Sequence, residues 1–373
     1  MNDGSTKDIG PDDGFFDLGG NSLLAMSVIA ELDRRFAAQV PPSALFDAPT
    51  VPQLAELIRA PKHPNSMVAI RPGGAQVPLF LIHDVDGTTL LYRNLAYKLA
   101  DERPVYGLQP LLDDDGIPQH TRIEDMAAHY VAAIRGVQAS GPYLLGGLCA
   151  GGVIAFEIAL QLRRAGQDVA MVALIDAANV DVTESVRSIV GGKLKRLSDA
   201  LSGVSDQPLP QRIAQSFGIL ARKARNAVVY EAQSRREAEQ VNRAVRQLQA
   251  MRDAHLSPSP QSREVTVRQV YNLAATEYTQ SARLHGNVIL FRATKGSGIL
   301  GDRATSELVD DATLGWQEHV EEPIRCVDIA GGHSSMLQEP NVDELATAMQ
   351  AYIDATSVAA LRATTGQAQI AES

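Results

Sequence analysis

The chain has 373 residues, 45% of them apolar and 21% charged, the balance of a soluble globular protein. At about 100–200 residues per domain that length predicts two or three domains, and a formal net charge of −10 argues against a nucleic-acid partner. Two cysteines, Cys149 and Cys326, make no disulfide framework, so a reducing cytoplasm is the expected location. The N-terminus, Met1-Asn2-Asp3-Gly4-Ser5, holds no apolar signal core, and no run approaches the ~18 apolar residues of a membrane span, so no membrane contact is expected.

Near the start, Ser22 stands where a helix cap belongs, between a Gly-Gly-Asn turn and an apolar-periodic run through Leu23, Met26, Ile29, Leu32 and Phe36. On composition alone Ser22 is a cap and nothing more. The stretch Phe15-Phe16-Asp17-Leu18-Gly19-Gly20-Asn21-Ser22-Leu23, however, resembles the Phe-Phe-x-Leu-Gly-Gly-x-Ser-Leu run of carrier-protein domains in nonribosomal peptide and polyketide synthetases. Leu45-Phe46 and Thr50-Val51-Pro52-Gln53-Leu54-Ala55 look like that family's last two helices. The resemblance implies a 4′-phosphopantetheine arm on Ser22, a phosphopantetheinyl transferase to attach it, and upstream synthetase modules as partners. Residues 1–60 are therefore read as a peptidyl carrier domain. Such carriers begin with a helix before this run, and only about a dozen polar residues precede it here, so the first helix is expected to be missing. Phe16 and Leu32 are then expected to lack apolar cover. Residues 61–67, with Pro61 and Pro64, have the composition of a semi-rigid linker.

From residue 68 to 358 short apolar runs alternate with amphipathic stretches. Val68-Ala69-Ile70, Pro78 to Ile82, Val105 to Leu108, Pro142 to Leu145, Val169 to Ile175, Val288 to Phe291 and Cys326 to Ile329 read as strands. Leu90 to Leu99, Ile123 to Val137 and Val153 to about Ala165 read as helices. That alternation predicts a parallel sheet covered on both faces.

One turn in this series carries chemistry. Gly147-Leu148-Cys149-Ala150-Gly151 joins a strand to a helix with the spacing of the G-x-S-x-G nucleophile elbow, cysteine standing at the centre. The following helix aims its positive N-terminus at the thiol, a field that favours thiolate. Asp176 ends the next strand, and His333 follows Gly331-Gly332 after a later one. The order Cys…Asp…His matches the nucleophile, acid, base order of α/β-hydrolases. In those roles Cys149 attacks, His333 moves the proton and Asp176 orients the ring. Each residue also has a plain structural reading: a buried cysteine in a Gly-rich turn, a strand-end cap, a turn histidine. Asp302 is a second candidate acid and His83 a rival histidine, ranked below Asp176 and His333; His83 is read as opening the oxyanion loop. No metal is called for.

With these residues in view, Pro78-Leu79-Phe80-Leu81-Ile82-His83, Tyr106-Gly107-Leu108, Gly141-Pro142-Tyr143, the elbow, Leu314-Gly315-Trp316 and Gly331-Gly332-His333 resemble type I thioesterases, the release domains of such synthetases. The resemblance implies an oxyanion hole of the Val85 and Ala150 N–H groups, in line with the general rule for this elbow. The expected fold is α/β, an α/β-hydrolase fold of mostly parallel sheet with a helical lid insertion at about 180–280, preceded by a small, truncated helical carrier domain. The expected function is release of a carrier-bound peptidyl or polyketide thioester through an acyl-Cys149 intermediate by cyclisation, to a macrocycle, lactam or strained lactone. Hydrolysis to the linear acid, editing of stalled chains, and a non-catalytic carrier or docking module are the alternatives.

Within the insertion, helices are expected over Glu184 to Ser202, Pro210 to Ala238 and on through Met251, with Val241, Val245, Leu248 and Met251 on one stripe. Thr183 to Asp253 holds thirteen Lys/Arg and seven Asp/Glu, net +6 in a chain of net −10. Most of this charge reads as a solvated face; Lys193, Lys195, Arg222, Lys223 and Arg225 are candidates to meet an acidic carrier. Residues 359–373 carry no apolar stripe and are expected to be a disordered tail.

Overall fold

Apolar runs buried on both sides build the centre of the molecule. A computed structural model describes residues 10–20, 22–36, 40, 44–59, 66–100, 102–182, 238–258, 265–280, 282–298 and 302–371. Its strands are β1 (Met67–Arg71), β2 (Leu79–Ile82), β3 (Val105–Leu108), β4 (Tyr143–Leu148), β5 (Val169–Ile175), β6 (Val288–Ala293) and β7 (Arg325–Ile329). They form one sheet in the order β1-β3-β2-β4-β5-β6-β7. β1 runs antiparallel to β3, and every other neighbouring pair is parallel. The strand order is that of an α/β-hydrolase, so the carboxyl ends of β2, β4, β5 and β7 open on one edge.

Three helices precede the sheet: α1 (Ser22–Phe36), α2 (Ala44–Asp47) and α3 (Val51–Arg59). They bury Ala25, Ile29, Ala44 and Leu45, with Leu90 from a 3₁₀ turn (Leu90–Tyr92) after β2 joining the same cluster. The periodic stripe is narrower than the sequence predicts, since Phe36 at the helix end is 63% exposed. Phe16 and Leu32 do not lack cover. Phe16 stacks on Phe46 with centroids 5.4 Å apart, and the Arg93 guanidinium lies 4.2 Å above its ring. Leu32 packs on the cluster that Leu90 completes. The carrier segment thus leans on the sheet domain.

After the 3₁₀ turn come α4 (Arg93–Lys98), α5 (Ile123–Val137), α6 (Ala150–Arg164), α7 (residues 238–253), α8 (Val267–Glu277) and α9 (Asn341–Ala371). Alternation along the strands divides the core. Phe80 and Ile82 face a cluster made with α5, α6, α7 and α8, whereas Leu79 and Leu81 face one made with α4 and α9. Trp316 is fully buried against Phe156, 4.8 Å between centroids, and donates its indole N–H to Ala177 O at 2.7 Å. Burying an aromatic of that size stabilises by roughly 4–6 kcal/mol at 25 cal/mol per Å². It also fixes the backbone just after Asp176.

Two differences from the sequence reading have physical causes. The stretch Leu90 to Leu99 is not one helix but a 3₁₀ turn followed by α4, which turns Tyr92 inward to bond the ends of two strands. The terminal helix continues to Ala371 where a disordered tail is expected, because Ala, Leu and Gln propagate a helix already docked by Leu345, Met349 and Ile353. Val245 and Leu248 are fully buried in α7, with Val241 and Met251 half-buried beside them. The predicted lid helices over 184–237, with Lys193, Lys195, Arg222, Lys223 and Arg225, lie outside the described residues. Among the described residues no helix is long and apolar enough to cross a membrane.

Candidate active site

Steric crowding shapes the elbow. A Cβ on Gly147 would stand 2.3 Å from the Gly151 carbonyl carbon, and one on Gly151 would stand 2.4 Å from Ile82 O. Both glycines are therefore required for β4 to turn directly into α6. Between them Cys149 takes φ 52° and ψ −114°. A non-glycine residue in so sparse a region costs about 1–3 kcal/mol and persists where surrounding structure over-determines it. Here that structure is the Cys149 N–H bond to Ile175 O at 3.1 Å and the buried α6 behind it. Ala150 opens α6, so its N–H has no partner within the helix.

Asp176 follows β5, also at positive φ (40°), and is 1% exposed. Its Oδ1 accepts from Ala293 N at 3.1 Å. Oδ2 accepts from Thr305 N at 3.1 Å, Thr305 Oγ1 at 2.8 Å and His333 Nδ1 at 2.6 Å. With Nδ1 committed to the carboxylate, the ring is also acted on by the Cys149 thiol, which raises its basicity. Burial works to push the His333 ring down, but the hydrogen bonds to Asp176 and Cys149 and their charges carry it up to about 10. The structure thus hydrogen-bonds His333 to Asp176 and sets Cys149 close enough to act on the same ring.

Asp302, the second candidate acid, is engaged elsewhere. Oδ1 accepts the N–H groups of Ser334 and Ser335, each at 2.8 Å, and Oδ2 accepts Ser335 Oγ at 2.8 Å and Ser297 N at 3.0 Å. Those bonds hold its carboxyl well below the ordinary range against the opposing effect of burial. Its work is to shape the loop that carries His333. His83 is buried and pushed down to about 4 by desolvation, so its ring is neutral, with Nδ1 donating to Asp84 O at 2.6 Å. It stands at the start of the loop that runs through Val85. The Cys326 thiol meets Ala312 O at 3.4 Å and is pushed up by burial, away from this chain of bonds.

Another serine–histidine contact exists. Ser66 Oγ lies 2.7 Å from His129 Nε2, and the His120 ring stacks on His129 at 4.7 Å. Ser66 stands just before β1, at the sheet edge, and β3 and β2 separate that strand from β4. Among the described residues no carboxylate bonds His129, and desolvation lowers its basicity.

Tyr92 is a supporting residue that sequence reasoning missed. Its buried hydroxyl donates to Ile82 O and accepts from Leu148 N, both at 2.7 Å, tying β2 to the residue before Cys149. Tyr92→Phe is expected to destabilise by about 1–3 kcal/mol, because the Leu148 N–H is left buried without a partner. Urea melts of the variant check this. Thr305 was equally invisible: nothing in its local sequence marks it as a donor to Asp176. Between the 3₁₀ turn and the elbow lies a cavity of about 150 Å³, lined by Thr88, Leu90, Asn94, Leu148, Ser334 and Gln338.

Residues 77–191 match the thioesterase domain family and residues 4–58 match the phosphopantetheine attachment site family. Chondramide synthase of Chondromyces crocatus is 28% identical over 362 residues, 93% of this chain and 8% of that protein. Indigoidine synthase of Dickeya dadantii is 42% identical over 164 residues, 43% of this chain and 11% of that protein. The crystal structure of holo-AB3403, a four-domain nonribosomal peptide synthetase bound to AMP and glycine, superposes with a TM-score of 0.53 at 27% identity. That match covers 91% of this chain and 24% of the other. This chain therefore spans a small part of the length of these relatives. It pairs a phosphopantetheine attachment site domain with a thioesterase domain.

Proposed function

We propose that this didomain releases a carrier-borne peptidyl or acyl chain through an acyl-Cys149 thioester, and that a nucleophile within the chain resolves it to a ring. The observation that carries the reading is His333, hydrogen-bonded to Asp176 and raised in basicity by the thiol of a strained elbow. Cys149 Sγ attacks the thioester carbonyl; the new C–S bond forms as the old one breaks. Negative charge gathers on the carbonyl oxygen between the Val85 and Ala150 N–H groups. A ring carried up to about 10 is protonated at neutral pH, and His333 hands that proton to the leaving thiolate. Neutral His333 then takes a proton from the attacking hydroxyl or amine as the acyl–sulfur bond breaks.

Cysteine at the centre supports ring closure. Its acyl-enzyme is again a thioester, so little free energy is lost on transfer, and thioesters favour amines over water more than oxoesters do. Attachment of 4′-phosphopantetheine fits Ser22, a hydroxyl residue opening a 15-residue helix after the Gly19 turn (φ +92°), where the helix dipole favours a phosphate. When bound, that group supplies a flexible thiol that holds the acyl chain. Asn94 and Gln338 in the cavity beside the elbow are the polar groups that would hold its amides. The partners are then the upstream modules and the phosphopantetheinyl transferase, within natural-product biosynthesis.

The competing nucleophile is Ser66, on the strength of its 2.7 Å contact with His129. A thioester reaction in water enriched with heavy oxygen, run with Cys149→Ala and Ser66→Ala, separates the readings. The expected product is unlabelled and lighter than the acid by one water, and only Cys149→Ala abolishes it. A labelled acid makes the domain a hydrolase; loss with Ser66→Ala alone moves the nucleophile. Absence of any acylated protein makes the domain a docking module.

A further inference from the structure

The loop from Asp84 to Thr88 is closed on itself at its base. Asp84 Oδ1 accepts the N–H groups of Asp86 at 3.0 Å and Thr88 at 3.1 Å, and Gly87 N donates to Asp84 O at 3.0 Å. Its tip is tied to a different part of the chain. Arg268 grips the Asp86 carboxylate with two N–H groups, Nε to Oδ1 at 2.7 Å and Nη2 to Oδ2, across 182 residues of sequence. Arg268 is the second residue of α8, which starts from a Thr266–Gln269 capping box. The neighbouring Val267 closes on the same turn: a Cβ on Gly87 would meet its Cγ1 at 3.2 Å. The loop follows β2, which pairs in parallel with β4, the strand that runs into Cys149.

We propose that Arg268 and Asp86 form a clasp by which α8 holds the Asp84–Thr88 loop, and with it the Val85 N–H, where the carbonyl oxygen takes up charge. The inference rests on the reading of Val85 as an oxyanion donor and of Cys149 as the nucleophile. Arg268 is a positioning residue, since it acts through Asp86 and not on the reacting atoms. Two features make a clasp more apt than a stability device. Both side chains are about half exposed (54% and 53%), and exposed pairs contribute little to folding. An oxyanion donor, by contrast, acts only when fixed near its final position, so a small freedom of the loop registers in the rate.

The test compares Arg268→Ala, Asp86→Asn and the exchanged pair Asp86→Arg with Arg268→Asp, in the full chain. Single-turnover acylation of Cys149 by an acyl-pantetheine thioester is measured beside alkylation by iodoacetamide, which needs the thiolate but no oxyanion hole. Each single variant is expected to slow acylation about 10- to 100-fold, part of the effect of losing a whole oxyanion donor. Substrate affinity, alkylation and thermal melting stay near wild type, and the exchanged pair regains most of the rate. Wild-type acylation in the single variants, while Cys149→Ala is not acylated, overturns the clasp alone. Equal losses in acylation and alkylation overturn it too, because Arg268 then acts on the thiol; so does an exchanged pair no faster than the singles. Acylation of Cys149→Ala overturns the nucleophile reading and the clasp with it.

Discussion

Cys149→Ala is expected to lower thioester turnover by about a millionfold, the scale seen when a triad nucleophile is removed and only the oxyanion hole and binding remain. Alanine keeps a Cβ at the strained φ of 52°, so the melting temperature should stay close to wild type and the loss can be assigned to chemistry. Intact-protein mass spectrometry after a thioester pulse checks the intermediate directly: wild type gains the acyl mass and Cys149→Ala does not. Cys149→Ser is the more informative partner. Its hydroxyl meets the same His333 and its acyl-enzyme becomes an oxoester, so the share of linear acid is expected to rise and the share of ring to fall. An unchanged product ratio and rate would remove the argument from thioester reactivity.

Asp176→Asn is expected to cost about 10⁴-fold in turnover, because an amide cannot hold the same imidazole tautomer or stabilise imidazolium. The same change should be visible in stability against pH. His333 is carried from an ordinary 6.5 up to about 10 in the folded protein. Its protonated form therefore stabilises the native state fully below about pH 6.5, and that contribution is lost as pH rises through about 10. Wild type should show a falling melting temperature across this window. Asp176→Asn, lacking the carboxylate that opposes the effect of burial, should show a shallower fall. Equal slopes in the two proteins would mean that Asp176 does not hold the proton on His333.

Much of the scaffold could be read from local pattern. The helix from Ile123 to Val137 and the strand from Val169 to Ile175 agree residue for residue with their apolar periodicity. The elbow was legible because its glycines are forced by backbone contacts only a few residues apart. What stayed hidden depends on distant partners. Nothing near Tyr92 says that its hydroxyl bridges Ile82 and Leu148, and nothing near Thr305 points to Asp176. Asp302 was legible as an acid near the site but not as the anchor of the His333 loop, since Ser334 and Ser335 come to it across more than thirty residues. Likewise, cover for Phe16 came from Arg93, a residue of the other domain.

The hydrogen bond between Asp176 and His333 spans 157 residues of chain. Ring closure over such a length is entropically costly and late, because non-local contacts reward the chain only once the intervening elements have docked. During synthesis the elbow emerges well before β7 and the histidine loop, with Cys149 already in sequence but without its proton acceptor. On the proposed reaction, a nascent or partly unfolded molecule carries the thiol without its relay. In that reaction, acyl transfer therefore needs β7 in the sheet, since the loop that carries His333 follows that strand.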